Sequence, residues 1–190
     1  MKTQTKITKL IIVLCSVIAM QAVQAQEWIA KTSGTTKNLL GIFYTNDSTL
    51  YACGTSGSMQ KSTDNGESWT VLTTGTTRNL YGMCFTSDSV GYACGVKGTI
   101  IKTVDAGTSW TALNSGYSKP YELYAIHFIN DSVGYSVGNY GLRLKTTDAG
   151  ATWTNLGTSS IDYACFSFVN DSTFYIGATN YMYKTTDGGK

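Results

Sequence analysis

Apolar and polar residues alternate in short runs along this chain, and the runs recur. Asn38–Gly54 (NLLGIFYTNDSTLYACG), Asn79–Gly95 (NLYGMCFTSDSVGYACG), Glu122–Gly138 (ELYAIHFINDSVGYSVG) and Asp162–Ala178 (DYACFSFVNDSTFYIGA) align with one another. Each is followed by a strand-like segment ending in lysine and then by a tight polar turn. Four short runs bounded by turn residues make up each copy. In the second copy they predict strands over about Leu80–Thr86 (a), Gly91–Gly95 (b), Thr99–Thr103 (c) and Ser109–Leu113 (d). The sole proline, Pro120, lies between copies, and Tyr, Thr, Val, Ile and Phe are abundant, as strands prefer.

A period near 40 residues with no helical pattern predicts an all-β architecture: a β-propeller of four-stranded antiparallel blades, with about four blades present. The blades are expected at about 38–74, 79–115, 122–158 and 162–190. Strand a has period two. One face carries Leu40/Ile42/Tyr44, Tyr81/Met83/Phe85, Tyr124/Ile126/Phe128 and Ala164/Phe166/Phe168; the other carries the small column Gly41, Gly82, Ala125 and Cys165. Both faces are expected to be buried, as in a sheet stacked between two neighbours. Trp28 lies 41 residues before Trp69, so residues 27–31 are expected to form an isolated strand d that could pair with the last strand c and close a four-bladed ring. Because the chain ends inside a turn of the repeat, the first part of a larger ring is the expectation preferred over that closure.

Residues 1–25 change the picture of charge and compartment. Lys2, Lys6 and Lys9 precede an apolar run from Leu10 to Met20, and Val23-Gln24-Ala25 offers small residues for cleavage, the pattern of an export signal. The protein is therefore expected to be secreted, periplasmic or at the cell surface, with the propeller over 26–190. Without the leader's three lysines, the full-chain net charge of +2 becomes about −1. No basic excess remains to hold nucleic acid or an anionic membrane. Cys53, Cys84, Cys94 and Cys165 fit no C-x-x-C metal or redox spacing and are expected to be small buried thiols, although export permits disulfides.

The turns carry the most specific pattern. They run Ser62-Thr-Asp64-Asn-Gly66-Glu-Ser68-Trp69, Thr103-Val-Asp105-Ala-Gly107-Thr-Ser109-Trp110 and Thr146-Thr-Asp148-Ala-Gly150-Ala-Thr152-Trp153, and a fourth begins Thr185-Thr-Asp187-Gly-Gly189. The aspartates are 41, 43 and 39 residues apart. This pattern resembles the Asp-box, or bacterial neuraminidase repeat. The surrounding sequence is similar to the photosystem II assembly/stability factor family and its secreted bacterial relatives. A local role suffices for every copy: the Asp accepts hydrogen bonds from its own turn, Gly allows a positive φ, and Trp fixes strand d. The box residues Asp64, Gly66, Trp69, Asp105, Gly107, Trp110, Asp148, Gly150, Trp153, Asp187 and Gly189 are thus expected to be structural. The resemblance also implies that such turns lie away from any active site.

Candidate chemistry is sparse. Recognition of a sialic acid carboxylate by three arginines is impossible with Arg78 and Arg143 alone, and the arginine-rich partner patch of the photosystem factors cannot be carried over for the same reason. Eight of nine aspartates fall in repeat turns, which leaves no evident carboxylate pair for glycoside hydrolysis. His127, the only histidine, aligns with Phe43, Cys84 and Ser167 and is expected to pack rather than react. Asn46-Asp-Ser48, Asn130-Asp-Ser132 and Asn170-Asp-Ser172 are formal sequons that recur at the a–b turn, where turn chemistry explains them. No catalytic residue, metal site or cofactor is expected. Asn38, Asn79, Glu122 and Asp162, which precede strand a in each copy, are the candidate binding face. The expected function is a non-catalytic module that binds a protein or glycan, or serves as a scaffold; the alternative is an N-terminal fragment of a sialidase-like or xyloglucanase-like hydrolase.

Overall fold

Successive strands are joined by turns that side chains close locally. At the a–b turn, Asn46 Oδ1 accepts the amides of Ser48 and Thr49 at 3.3 and 3.2 Å. Asn130 and Asn170 repeat the contact, and Ser87 Oγ replaces the amide oxygen in the second copy. This is the Asx-turn chemistry expected of the sequons. The computed structural model describes residues 28–46, 48–118 and 120–189; the expected leader lies outside them.

Four antiparallel sheets result, each a simple meander. The first contains β1 (Leu39–Asn46), β2 (Thr49–Gly54), β3 (Met59–Ser62) and β4 (Thr70–Leu72). The second contains β5 (Leu80–Phe85), β6 (Gly91–Gly95), β7 (Thr99–Thr103) and β8 (Thr111–Leu113). The third contains β9 (Leu123–Phe128), β10 (Gly134–Gly138), β11 (Arg143–Thr146) and β12 (Thr154–Gly157). The fourth has β13 (Tyr163–Phe168), β14 (Phe174–Ala178) and β15 (Met182–Thr185).

The sheets stack face to face through their a strands, with β5 packed between β1 and β9, and β9 next to β13. Tyr51, Cys53 and Met59 of the first sheet meet Leu80, Met83, Ala93 and Ile101 of the second. Tyr92, Cys94 and Ile100 meet Leu123, Ile126, Phe128 and Leu144 of the third. Tyr135 and Val137 meet Tyr163, Phe174 and Ile176 of the fourth. The small column permits this approach: a Cβ on Gly41 would stand 2.8 Å from the Tyr81 carbonyl, and one on Gly82 would stand 2.9 Å from that of Tyr124.

Three expectations need correction. The first concerns the strict alternation of strand a. A bulge interrupts it at Leu40, Tyr81, Tyr124 and Ala164, where the pairing skips one residue. A bulge sets two residues against one and turns the side chains beyond it. Leu80 and Leu123 therefore fill the interface at 0% exposure, and Tyr81 and Tyr124 do not. The second concerns the ends. Residues 28–31 form no strand, so the strand expected over 27–31 is absent from the described residues and the fourth sheet stays three-stranded. Lys31 instead pairs with Glu67 at 2.6 Å. The third concerns burial. The expected two-sided burial holds for β5 and β9 alone: Ile42 and Tyr44 of β1 are 66% and 51% exposed, and Ala164, Cys165 and Ser167 of β13 are exposed.

Candidate binding face

The box turns and the a–b turns share one face of the molecule. The amides of Asn65, Ala106, Ala149 and Gly188 donate to the carbonyls of Ser48, Ser89, Ser132 and Ser172, each a bond from a box to its own a–b turn. Inside the second box, Thr103 Oγ1 donates to Asp105 Oδ1 at 2.8 Å and accepts the Gly107 amide at 2.9 Å. Ser109 closes the ring, with its amide on Oδ1 and its hydroxyl on Oδ2. The same bonds recur around Asp64 and Asp148, and the Thr185–Asp187–Gly189 portion recurs in the fourth box. Hydrogen bonds from Ser68, Ser109 and Thr152, the hydroxyl foremost, hold the Asp64, Asp105 and Asp148 carboxyls at about 2. Carboxylates held so low and so fully engaged are poor general acids or bases near neutral pH.

The boxes also grip the preceding blade, a role that local turn chemistry did not reveal. Tyr51 Oη and Lys61 Nζ both donate to the Ala106 carbonyl, at 2.9 and 3.1 Å. Tyr92 and Lys102 hold the Ala149 carbonyl in the same way, and Tyr135 and Lys145 hold that of Gly188. Each lysine also lies over the ring of its tyrosine, at 5.2–5.3 Å from the centroid. Gly107, at φ +83, completes the contact: a Cβ there would lie 2.9 Å from Leu72 Cδ1 of the preceding blade. The box is therefore half of an interblade clasp.

Acid should release this arrangement. The box carboxyls titrate below their ordinary value near 3.9, so the unfolded chain binds more protons and stability rises with pH. Their contribution is present above pH ~4 and lost as pH falls through about 2. His127, half-buried and stacked on Phe168 at 4.2 Å, is lowered by burial; it adds a separate loss that begins below pH ~6.5. Urea melts across pH should show both limbs, with His127→Phe removing only the upper one. Stability that stayed flat down to pH 2 would contradict the assignment.

The opposite face gathers the b–c turns and the loops that lead into strand a. All four candidate residues lie here, and three of them accept hydrogen bonds from a neighbouring blade. Asn79 Oδ1 accepts the Ser56 amide at 3.0 Å, and Asp162 Oδ1 accepts the Tyr140 amide at 2.9 Å. The Glu122 carboxylate accepts the Tyr81 hydroxyl at 3.2 Å, and burial followed by this charge raises the Tyr81 pKa. Asn38 is exposed.

Sequence reasoning overlooked a cleft that runs from this face along β7 and β8 to Trp110 of the second box. Thr76, Arg78, Lys97, Thr99, Trp110 and Tyr117 are among its lining residues, and its volume is about 550 Å³. Arg78 reaches Thr99 Oγ1 at 3.1 Å, and no acidic side chain is among the described residues that line the space. The other arginine, Arg143, stands where Met59 and Ile100 stand in earlier blades and lies over the Tyr163 ring at 5.8 Å, so it belongs to packing.

The four thiols among the described residues are unpaired; Cys53, Cys84 and Cys94 are buried, with burial pushing Cys53 and Cys84 up to about 12. Cys165 is exposed, against the expectation that all four are buried, because among the described residues no further sheet packs on that side of β13. Among the described residues no cluster of His, Cys, Asp or Glu could hold a metal ion.

Four-stranded antiparallel meanders stacked through their first strands define a β-propeller, and solved structures of that fold are similar. YCF48 bound to a D1 peptide superposes with a TM-score of 0.69 at 17% identity, over 84% of this chain and 57% of that one. YCF48 from Cyanidioschyzon merolae gives 0.66 at 15% identity, over 84% and 59%. The GH74 enzyme of Niastella koreensis gives 0.68 at 18%, over 80% and 29%. The chain thus spans under three fifths of the YCF48 structures and under a third of the GH74 enzyme. The family model described as photosynthesis system II assembly factor YCF48 matches residues 12–104 and 68–161, and the chain belongs to that family. Comparison with the curated proteins returned no match.

Proposed function

We propose that this chain is a non-catalytic binding module, exported by the leader at residues 1–25, whose loop face takes a protein segment bearing a carboxylate. The cleft beside Arg78 and Lys97 carries this reading. It offers two cations with no acidic side chain among the described lining residues, flanked by threonine hydroxyls and the Trp110 and Tyr117 rings. Guanidinium groups recognise carboxylates through charge-assisted hydrogen bonds, and aromatic walls suit peptide side chains. The YCF48 structure with a bound D1 peptide supports a peptide rather than a glycan. The hydrolase alternative is favoured by the GH74 likeness, but the engaged box carboxylates offer it no acid–base pair.

The test is a titration of the purified protein with synthetic peptides, each made with a free and with an amidated C-terminus. Free-carboxylate peptides are expected to bind more tightly. Arg78→Ala should weaken them about tenfold, the worth of one charged hydrogen bond of about 1.5 kcal/mol, and leave the amidated set unchanged. Equal binding of the two sets would refute the carboxylate assignment.

A further inference from the structure

The bulge that sends Leu80 and Leu123 into the interface turns Tyr81 and Tyr124 out of it. Both tyrosines belong to sheets packed between described neighbours on either side. Their rings meet edge to face at 5.5 Å, partly buried. Tyr81 Oη donates to Glu122 Oε2 at 3.2 Å, which leaves Oε1 without a hydrogen bond among the described residues. Asp162 Oδ1 is held by the Tyr140 amide, and its Oδ2 is likewise unengaged among them. Burial first, and then the charges of Glu122 and Asp162, raise the Tyr124 pKa, so both charges reach that phenol. Neither carboxylate has an ion-pair partner among the described residues.

Tyr140 adds an exposed ring. Its backbone is left-handed, at φ +53, as at the matching Ser56 and Lys97. That region penalises bulky side chains, and the ring recovers little by burial, since the residue is 49% exposed. Edge-to-face contacts run from Tyr140 to Tyr121 at 6.1 Å and on to Tyr117 at 5.2 Å, which is a wall of the Arg78 cleft. The aromatic surface is thus continuous with that cleft. Tyrosines with one accessible face and a polar tip are what binding surfaces concentrate.

We propose that Tyr81, Tyr124, Tyr140, Glu122 and Asp162 form a second subsite on the loop face, for an arginine side chain of the bound segment. The inference rests on the reading that this face takes a protein segment, and adds to it the chemistry of a second anchor. A guanidinium fits on two counts. Its flat cation stacks on tyrosine rings, and its N–H groups reach carboxylate oxygens in pairs. The charges are opposite to those of the cleft: Arg78 and Lys97 take the anion, Glu122 and Asp162 the cation. A segment that carries both an arginine and a carboxylate would therefore lie on this face in one direction only.

The test uses acetyl-capped, amidated Gly/Ser peptides with a central arginine or its neutral isostere citrulline, titrated into the full chain. The arginine peptide is expected to bind about tenfold more tightly, the worth of one charge-assisted hydrogen bond. Glu122→Gln should remove that preference, and Arg78→Ala should leave it intact. Tyr140→Gly should cut it about threefold, as loss of one cation–π contact would, without lowering the melting temperature, because glycine suits the left-handed turn. Equal binding of the two peptides by the parent chain would overturn the proposal, as would a preference that survives both Glu122→Gln and Tyr140→Gly. An arginine preference in a protein that shows no free-carboxylate preference would support this subsite and strike the Arg78 assignment alone.

Discussion

Gly95→Ala is expected to destabilise the protein by about 3 kcal/mol, the upper end of what overpacking ordinarily costs. Gly95 ends β6 where the bulged start of β5 crosses it, and a Cβ there would stand 1.9 Å from the Asn79 carbonyl. That carbonyl also accepts the Val96 amide at 3.0 Å, so retreat would break the bond that ties the b–c turn to strand a. Gly54 and Gly138 meet the same obstacle at 1.9 and 1.7 Å. Gly116→Ala is the comparison. Gly116 has a φ of +78 and open space around it, so only the left-handed penalty of about 1 kcal/mol applies. Denaturant unfolding of both variants separates the two costs, and equal losses would show that the backbone crossing yields.

Tyr92→Ala should cost about 4 kcal/mol, as expected for removal of a large buried aromatic side chain. Tyr92 is fully buried at the junction of the second and third blades. Its ring stacks on Phe128 at 3.8 Å, it carries Lys102 over its face, and its hydroxyl donates to the Ala149 carbonyl. Tyr92→Phe keeps the stack and removes one hydrogen bond, so a loss of about 1 kcal/mol is expected. Since the cores on either side of a blade share that blade, Tyr92→Ala should lower one cooperative unfolding transition rather than create a second. A separate low-temperature transition would mean that the blades unfold independently.

The meander was legible because strands in a stacked blade leave a dense pattern. Turn residues fall at fixed offsets, and bulky and small residues alternate. The bulge at Tyr81 and Tyr124 was not, because inserting one residue leaves a run of apolar letters looking continuous while it reverses which letter is buried. The clasp was half visible. Tyr51, Tyr92, Tyr135 and Tyr175, and the lysine one residue before the end of each strand c, recur at constant positions. Nothing within one copy says that their shared acceptor lies in the next. The loop face shows the same limit. Asn79 and Asp162 looked available because they are polar and precede a strand, yet their partners are backbone amides of a neighbouring blade. Arg78 escaped notice because an arginine in a loop before a strand resembles any solvated charge until Lys97 and Trp110 are brought beside it.

The view that box aspartates serve the fold while the loop face binds is tested most directly by one binding comparison. Asp105→Asn and Arg78→Ala, each shown to be folded, are titrated with the same free-carboxylate peptides. Asp105→Asn is expected to bind as the parent chain does and Arg78→Ala about tenfold more weakly. A folded Asp105→Asn protein that lost binding while Arg78→Ala kept it would contradict the division of roles between the two faces.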